Sequence, residues 1–166
     1  EDSPTIIISG DRDCDGHSDL QKKLQQWKYN WVYIDHCLDR LRKGFSINRI
    51  RYTDEVSVEL RVFDIMKTIE WLKEKDWFNK KIVVTGFAQG GSAINAVVNK
   101  ASLERAASIY SFPFGLADYI KGAVSYYPFC QIQRVSKRPT IPYLVQIAGK
   151  DRFDDDFSGC GEKKSR

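Results

Sequence analysis

The chain has 166 residues and a net charge of +4, from 26 lysine and arginine residues against 22 aspartate and glutamate residues. This length fits one domain, because domains commonly have ~100–200 residues. With 42% hydrophobic and 13% aromatic residues, the composition excludes a disordered tail, a collagen and a disulfide-held miniprotein. No apolar run approaches the ~20 residues that span a bilayer. We therefore predict no membrane span. The basic residues are scattered along the sequence, so we predict no nucleic-acid partner either.

Short apolar runs alternate with helical patterns along the whole chain. In chain order, strands are predicted at Thr5–Ser9, Trp31–Asp35, Lys81–Thr85, Ile120–Tyr127 and Pro142–Ala148. Buried strands that alternate with helices are typical of a parallel sheet that is covered on both faces. We therefore predict a single doubly wound α/β domain over residues 1–166, with its functional loops at the carboxyl ends of the strands.

Three helices are predicted between these strands. The first has apolar residues at helical spacing after Ser18 or Asp19, the second is a long amphipathic helix between Glu55 and Lys75, and the third begins at Ser92 directly after two glycines. Apolar residues at intervals of three and four face the core of a protein. The helical tryptophans are therefore predicted to be core residues: Trp27, Trp71 and Trp77.

The strongest local signal is the hexapeptide GFAQGG, residues 86–91, which lies between the third strand and the third helix. Small residues around the centre of a strand-to-helix turn are typical of a nucleophile elbow, in which the central residue is exposed and its backbone is strained. Here the central residue is Ala88, which has no nucleophilic atom. A phosphate-binding loop is excluded because its GxxxxGK[ST] spacing is absent. From the hexapeptide alone, a glycine-rich turn of any doubly wound protein remains an alternative.

Four ordered segments resemble the dienelactone hydrolase family of α/β-hydrolases. GFAQGG is similar to the family's G-F-S-Q-G-G elbow with the serine replaced. Tyr29–His36 resembles its Y-x-V-x-x-x-D segment, Gly122–Cys130 resembles its strand ending in Y-P-x-C, and Ile141–Asp151 resembles the strand and turn that carry the triad acid. The resemblance implies an α/β-hydrolase-like, mainly parallel sheet and hydrolysis of an ester or lactone without a cofactor.

The same resemblance implies roles for five positions. Ala88 stands at the nucleophile position, Asp151 stands at the position of the triad acid, and Gln89, Gly10 and Asp11 are the expected oxyanion-hole donors. In the family, a last strand, a last helix and the catalytic histidine follow the position of Asp151. The resemblance therefore implies a domain that is truncated on its C-terminal side.

The two histidines, His17 and His36, lie on loops that do not match the family's catalytic base. Without a nucleophile and a base, we expect a catalytically inactive pseudoenzyme that acts as a binding or structural subunit. A missing last strand leaves a sheet edge uncovered, so a protein partner or a second copy of the chain is expected. The alternative is an active ester or lactone hydrolase in which Ser was replaced by Ala88 and whose C-terminal part is missing.

The four cysteines lack the close Cys/His spacing of a zinc site, so no metal is predicted. In the resembled fold, the strands that precede Cys130 and Cys160 are neighbours, which makes this pair the candidate disulfide. Two separate thiols are the alternative, and a pair of Cys14 with Cys37 is less secure because the intervening loops are longer.

Residues 11–16 (DRDCDG) fit the opening of a calcium-binding loop. The twelfth position of such a loop carries a bidentate glutamate, but here it is Lys22, whose ammonium group would repel the cation. A solvated acidic turn is therefore the preferred interpretation.

Overall fold

A computed structural model describes residues 3–11, 18–37, 57–128 and 139–147. Within these ranges, the elements in chain order are β1 (Thr5–Ser9), α1 (Ser18–Gln26), β2 (Trp31–Ile34), α2 (Val58–Leu72), β3 (Ile82–Phe87), α3 (Gln89–Val97), α4 (Lys100–Tyr110), a 3₁₀ helix (Phe114–Tyr119), β4 (Ile120–Tyr126) and β5 (Tyr143–Gln146). The five predicted strands are all present. Helix α3 begins three residues earlier than predicted, and the prediction missed both α4 and the 3₁₀ helix.

The five strands form one parallel sheet in the order β2-β1-β3-β4-β5. The chain passes from β1 to β2 in one direction along the sheet and then returns past β1 to β3. Strands β1 and β3 therefore flank the topological switch point, beyond whose carboxyl end doubly wound proteins bind their ligands. At this point Ser9, the last residue of β1, lies between Ile34 of β2 and Gly86 of β3.

The main core lies between the sheet and the helices α2, α3 and α4. Ser57 caps the N-terminus of α2, since its hydroxyl accepts a hydrogen bond from the Leu60 amide at 3.2 Å. Each fully buried aliphatic side chain contributes ~1.5–3 kcal/mol through removal of apolar surface from water. In this core, the side chains larger than alanine that have no exposed surface are Ile7, Val62, Ile65, Met66, Ile69, Leu72, Ile82, Val84 and Ile94.

The prediction that the tryptophans are core residues is wrong. Trp27, Trp71 and Trp77 are 60%, 47% and 50% exposed. The ring of Trp71 lies against the ammonium group of Lys75, with the nitrogen 4.3 Å from the ring centre. Helical spacing identifies a face but not its limits. The residues buried near the three tryptophans in sequence are Leu24, Leu72 and Phe78.

None of the helices in the described ranges is both long enough and apolar enough to cross a bilayer. In the same ranges, no three histidine, cysteine, aspartate or glutamate side chains are grouped as metal ligands would be.

Candidate functional site

The turn between β3 and α3 is strained at Ala88, whose backbone has φ 49° and ψ −113°. Such a conformation costs a residue with a Cβ atom about 1–3 kcal/mol, and it persists only where the surroundings impose it. Here the Ala88 amide donates to the Tyr126 carbonyl at 2.9 Å, and the Ala88 carbonyl accepts from the Ser92 amide at 2.9 Å. The strand-to-helix turn therefore has the backbone of an elbow, with a methyl group at its tip.

The glycines of the hexapeptide are required by close backbone approaches. A Cβ atom on Gly86 would lie 2.5 Å from the carbonyl group of Gly90, the second residue of α3. A Cβ atom on Gly90 would collide with the carbonyl oxygens of Ser9 and Gly10. The start of α3 therefore packs directly against the end of β1, which brings the two predicted oxyanion segments together.

The predicted oxyanion positions Gly10, Asp11 and Gln89 all contact one guanidinium group, that of Arg61. The group donates to the Gly10 carbonyl at 2.8 Å, to the Asp11 carbonyl at 3.0 Å and to the side-chain oxygen of Gln89 at 3.2 Å. In a trans peptide the N–H points opposite to the C=O. Because the Gly10 carbonyl points at Arg61, the Asp11 N–H is directed away from it.

Gln89 is the first residue of α3. The first N–H groups of a helix have no partner within the helix, and the helix dipole makes this end positive. The Gln89 amide and the Asp11 amide thus belong to two backbone segments that the same guanidinium group links. The two segments that carry the predicted oxyanion donors are therefore neighbours.

The sequence analysis missed Arg61, which has no exposed surface although it lies in the apolar stripe of α2. A buried charge is tolerated only when it is well hydrogen-bonded. A charged residue between Leu60 and Val62 was the available signal, but nothing in the sequence indicates which carbonyl groups it contacts.

A second polar array, also missed, joins Ser9, His36 and Asp64. The Ser9 hydroxyl lies 2.9 Å from His36 Nε2, and the Asp64 carboxylate lies 2.6 Å from His36 Nδ1. These are the contacts and the order of a serine–histidine–aspartate triad. Ser9 is nevertheless 0% and His36 1% exposed, and Ser9 lies in a regular strand rather than on a strained turn. The array therefore ties the ends of β1 and β2 to α2 and is closed to substrate.

His36 is consequently engaged on both ring nitrogens and is not positioned as a base for the elbow. The positions of Asp151, His17, Cys130 and Cys160 lie outside the described residues, as does Cys14. Cys37 is disulfide-bonded, and its partner also lies outside the described ranges.

Comparison with solved structures shows that the fold is that of the α/β-hydrolases. A protein from Klebsiella pneumoniae subsp. pneumoniae, provisionally assigned as a dienelactone hydrolase, superimposes with a TM-score of 0.51 at 17% identity, over 77% of this chain and 50% of its own. A provisionally assigned hydrolase of the α/β superfamily from Xanthomonas campestris pv. campestris has a TM-score of 0.47 at 13% identity, over 86% of this chain and 69% of its own.

The chain thus spans half the length of the Klebsiella protein. No protein-family profile and no curated protein matches it. The predicted α/β-hydrolase-like parallel sheet is confirmed, and so is the likeness to dienelactone hydrolases at the level of the fold.

Proposed function

We propose that this chain is a catalytically silent protein of the hydrolase fold that serves as a binding or structural subunit. The observation that carries the proposal is the methyl group of Ala88 at the tip of the strained turn. Covalent ester hydrolysis by this fold requires an oxygen or sulfur nucleophile there and a base beside it. The side chain of Ala88 contains neither oxygen nor sulfur. His36 is buried against Ser9 and Asp64 and so does not serve as the base.

The elbow supports binding rather than turnover. The amide of Gln89, at the positive end of α3, suits a partly or fully negative oxygen. Phe87, Ala88 and Gln89 are only partly buried, so a small carbonyl- or carboxylate-bearing group can reach the turn. Without a nucleophile and a base, the ~10⁶-fold contribution that a catalytic triad makes to the turnover number is absent.

The edge of the sheet supports the role of a subunit. Strand β5 is the last strand of the described sheet. Leu144 on β5 and Ile147 just after it are 61% and 50% exposed. Apolar residues on an unpaired edge strand invite association with another chain. A partner protein or a second copy of this chain is the proposed occupant.

The second candidate is an active ester or lactone hydrolase with serine at position 88 and further catalytic residues outside this chain. The strained backbone of Ala88 favours it, because such strain is usually found where a nucleophile must be exposed. The two candidates differ in what Ala88→Ser should do.

A fluorophosphonate probe that reacts with activated serines separates them. We expect no labelling of the natural chain at any serine, Ser9 included, and no hydrolysis of an activated ester above background. Ala88→Ser should stay unlabelled as well, like the control Ala107→Ser in α4, because His36, the one histidine in the described ranges, is engaged by Ser9 and Asp64. Stoichiometric labelling of the natural chain would overturn the proposal. Labelling of Ala88→Ser alone would favour the second candidate, an active hydrolase, and would show that a base acts on position 88.

A further inference from the structure

A cleft of about 540 Å³ lies between α4, the 3₁₀ helix and the segment that leads into β5. It opens beside Ile120, the first residue of β4, at the amino end of the sheet. The elbow follows the opposite end of β3, roughly 20 Å away for six residues at about 3.3 Å each. Small-molecule sites commonly have volumes of ~300–1,000 Å³. The cleft is thus large enough for a ligand and is separate from the elbow.

The floor of the cleft is apolar. Val97, Leu103 and Ile120 line it and are only 2–3% exposed, so the surface they retain lies at its base. Phe114, which is 42% exposed, and the partly buried Ile141 line its sides. A surface of this kind accommodates an alkyl chain, since each methylene moved from water onto it is stabilised.

The mouth of the cleft is positively charged. Two lysines, Lys100 and Lys121, and one acidic residue, Asp118, line it. The ammonium group of Lys121 donates to the Asp118 backbone carbonyl at 2.6 Å, a neutral acceptor. Lys100 lies 3.8 Å from Glu104 in a solvent-exposed pair; such pairs are held weakly, so the ammonium group is available to a ligand.

Helix α4 adds to this potential. Lys100 is its first residue, and its first turn contains no acidic residue. A helix N-terminus is stabilised by negative groups, so a cation there is unfavourable for the helix itself. Local rules of this kind are broken mainly where function requires it. The positive mouth above an apolar floor therefore calls for an amphipathic anion.

We propose that this cleft binds a medium-chain fatty-acid carboxylate. The alkyl chain lies on the floor formed by Val97, Leu103 and Ile120. The carboxylate lies at the mouth between Lys100 and Lys121, where the N-terminus of α4 also stabilises it.

The first test uses the natural chain and a series of carboxylates from butanoate to decanoate, with dissociation constants from calorimetry. Each added methylene should tighten binding about fourfold, the fold-change that corresponds to ~0.8 kcal/mol per buried methylene. Octanol, which has the chain but no charge, should bind at least tenfold more weakly than octanoate. Amide NMR shifts on titration should centre on Lys100, Ala117 and Thr140, and not on Gln89 at the elbow.

Variants then test the two halves of the cleft. The double change Lys100→Met and Lys121→Met should weaken octanoate binding at least tenfold, whereas Lys23→Met on α1 should leave it unchanged. Ala117→Phe should block the cleft and abolish binding, with cooperative thermal unfolding as the check that the variant is folded.

Four outcomes would overturn the proposal. They are equal binding of octanol and octanoate, an unchanged affinity in the double lysine variant, shifts that centre on the elbow, and no saturable binding of decanoate. None of these outcomes bears on the proposed catalytic inactivity of the chain, which the fluorophosphonate probe tests separately.

Discussion

Replacing Ala88 by glycine should stabilise the protein, although alanine-to-glycine changes usually do the opposite. The Ala88 backbone has φ 49° and ψ −113°, a conformation that costs a residue with a Cβ atom ~1–3 kcal/mol. Glycine has no Cβ atom and adopts positive φ readily. The change keeps the backbone hydrogen bonds of residue 88 to Tyr126 and Ser92.

Two smaller effects oppose this gain. Glycine makes the unfolded chain more flexible, which costs ~0.4–1 kcal/mol. The lost methyl group is partly buried, so its removal costs about half of the ~0.8 kcal/mol for a fully buried carbon. Relief of the strain contributes ~2 kcal/mol. After these two costs are subtracted, Ala88→Gly should raise the free energy of unfolding by about 1 kcal/mol.

The assay is urea unfolding followed by circular dichroism, with Ala107→Gly as the matched control. Ala107 lies inside α4, where glycine lowers the free energy of unfolding by ~1 kcal/mol. The two variants should therefore move in opposite directions by a similar amount, with an unchanged dependence on urea concentration. If Ala88→Gly destabilises the protein as much as the control does, the turn is not strained and the elbow interpretation fails.

Two further predictions concern the anchor of the elbow and the edge of the sheet. Arg61→Met should lower the free energy of unfolding by about 3 kcal/mol or more, because three oxygens lose a buried donor at ~1–3 kcal/mol each. The control Arg105→Met breaks an ion pair with Glu59 in which the arginine is 72% and the glutamate 25% exposed. It should cost under ~1 kcal/mol in the same urea assay, and equal effects would contradict the role of Arg61. Light scattering at micromolar concentration should show the natural chain above the mass of one copy and Leu144→Lys at that mass. A natural chain that is monomeric and unfolds cooperatively would count against association through β5.

The strands could be predicted because their sequences contain short runs of β-branched residues between turn residues. Thr5–Ser9 and Ile82–Phe87 show this most clearly, and the order of the five strands with the intervening helices was enough to predict a doubly wound parallel sheet. The turn at Ala88 could also be predicted, since the steric requirement for glycine at position 86 comes from Gly90, four residues along the chain, whereas the requirement at position 90 comes from the distant end of β1. The strands and the requirement at position 86 depend on neighbours in the sequence, which is why a sequence alone reveals them.

Helix α4 was missed because its buried face is made of one leucine and small residues. Leu103 and Ala106 are its buried residues, and alanine contributes little to a periodic pattern. The Ser9–His36–Asp64 array could not be predicted because its members are 27 and 28 residues apart and come from three elements. Likewise, the carbonyl groups that Arg61 contacts are determined only when α2 packs against the sheet.

Helix α2 explains how the elbow can keep its shape without a nucleophile. Arg61 and Asp64 are three residues apart and so lie on one face of the helix. Arg61 holds the end of β1 and the first residue of α3, while Asp64 holds the end of β2 through His36. None of these contacts involves the side chain at position 88. The strain of the turn is therefore imposed from outside, and an alanine at position 88 leaves the geometry of the turn intact while it offers no nucleophilic atom.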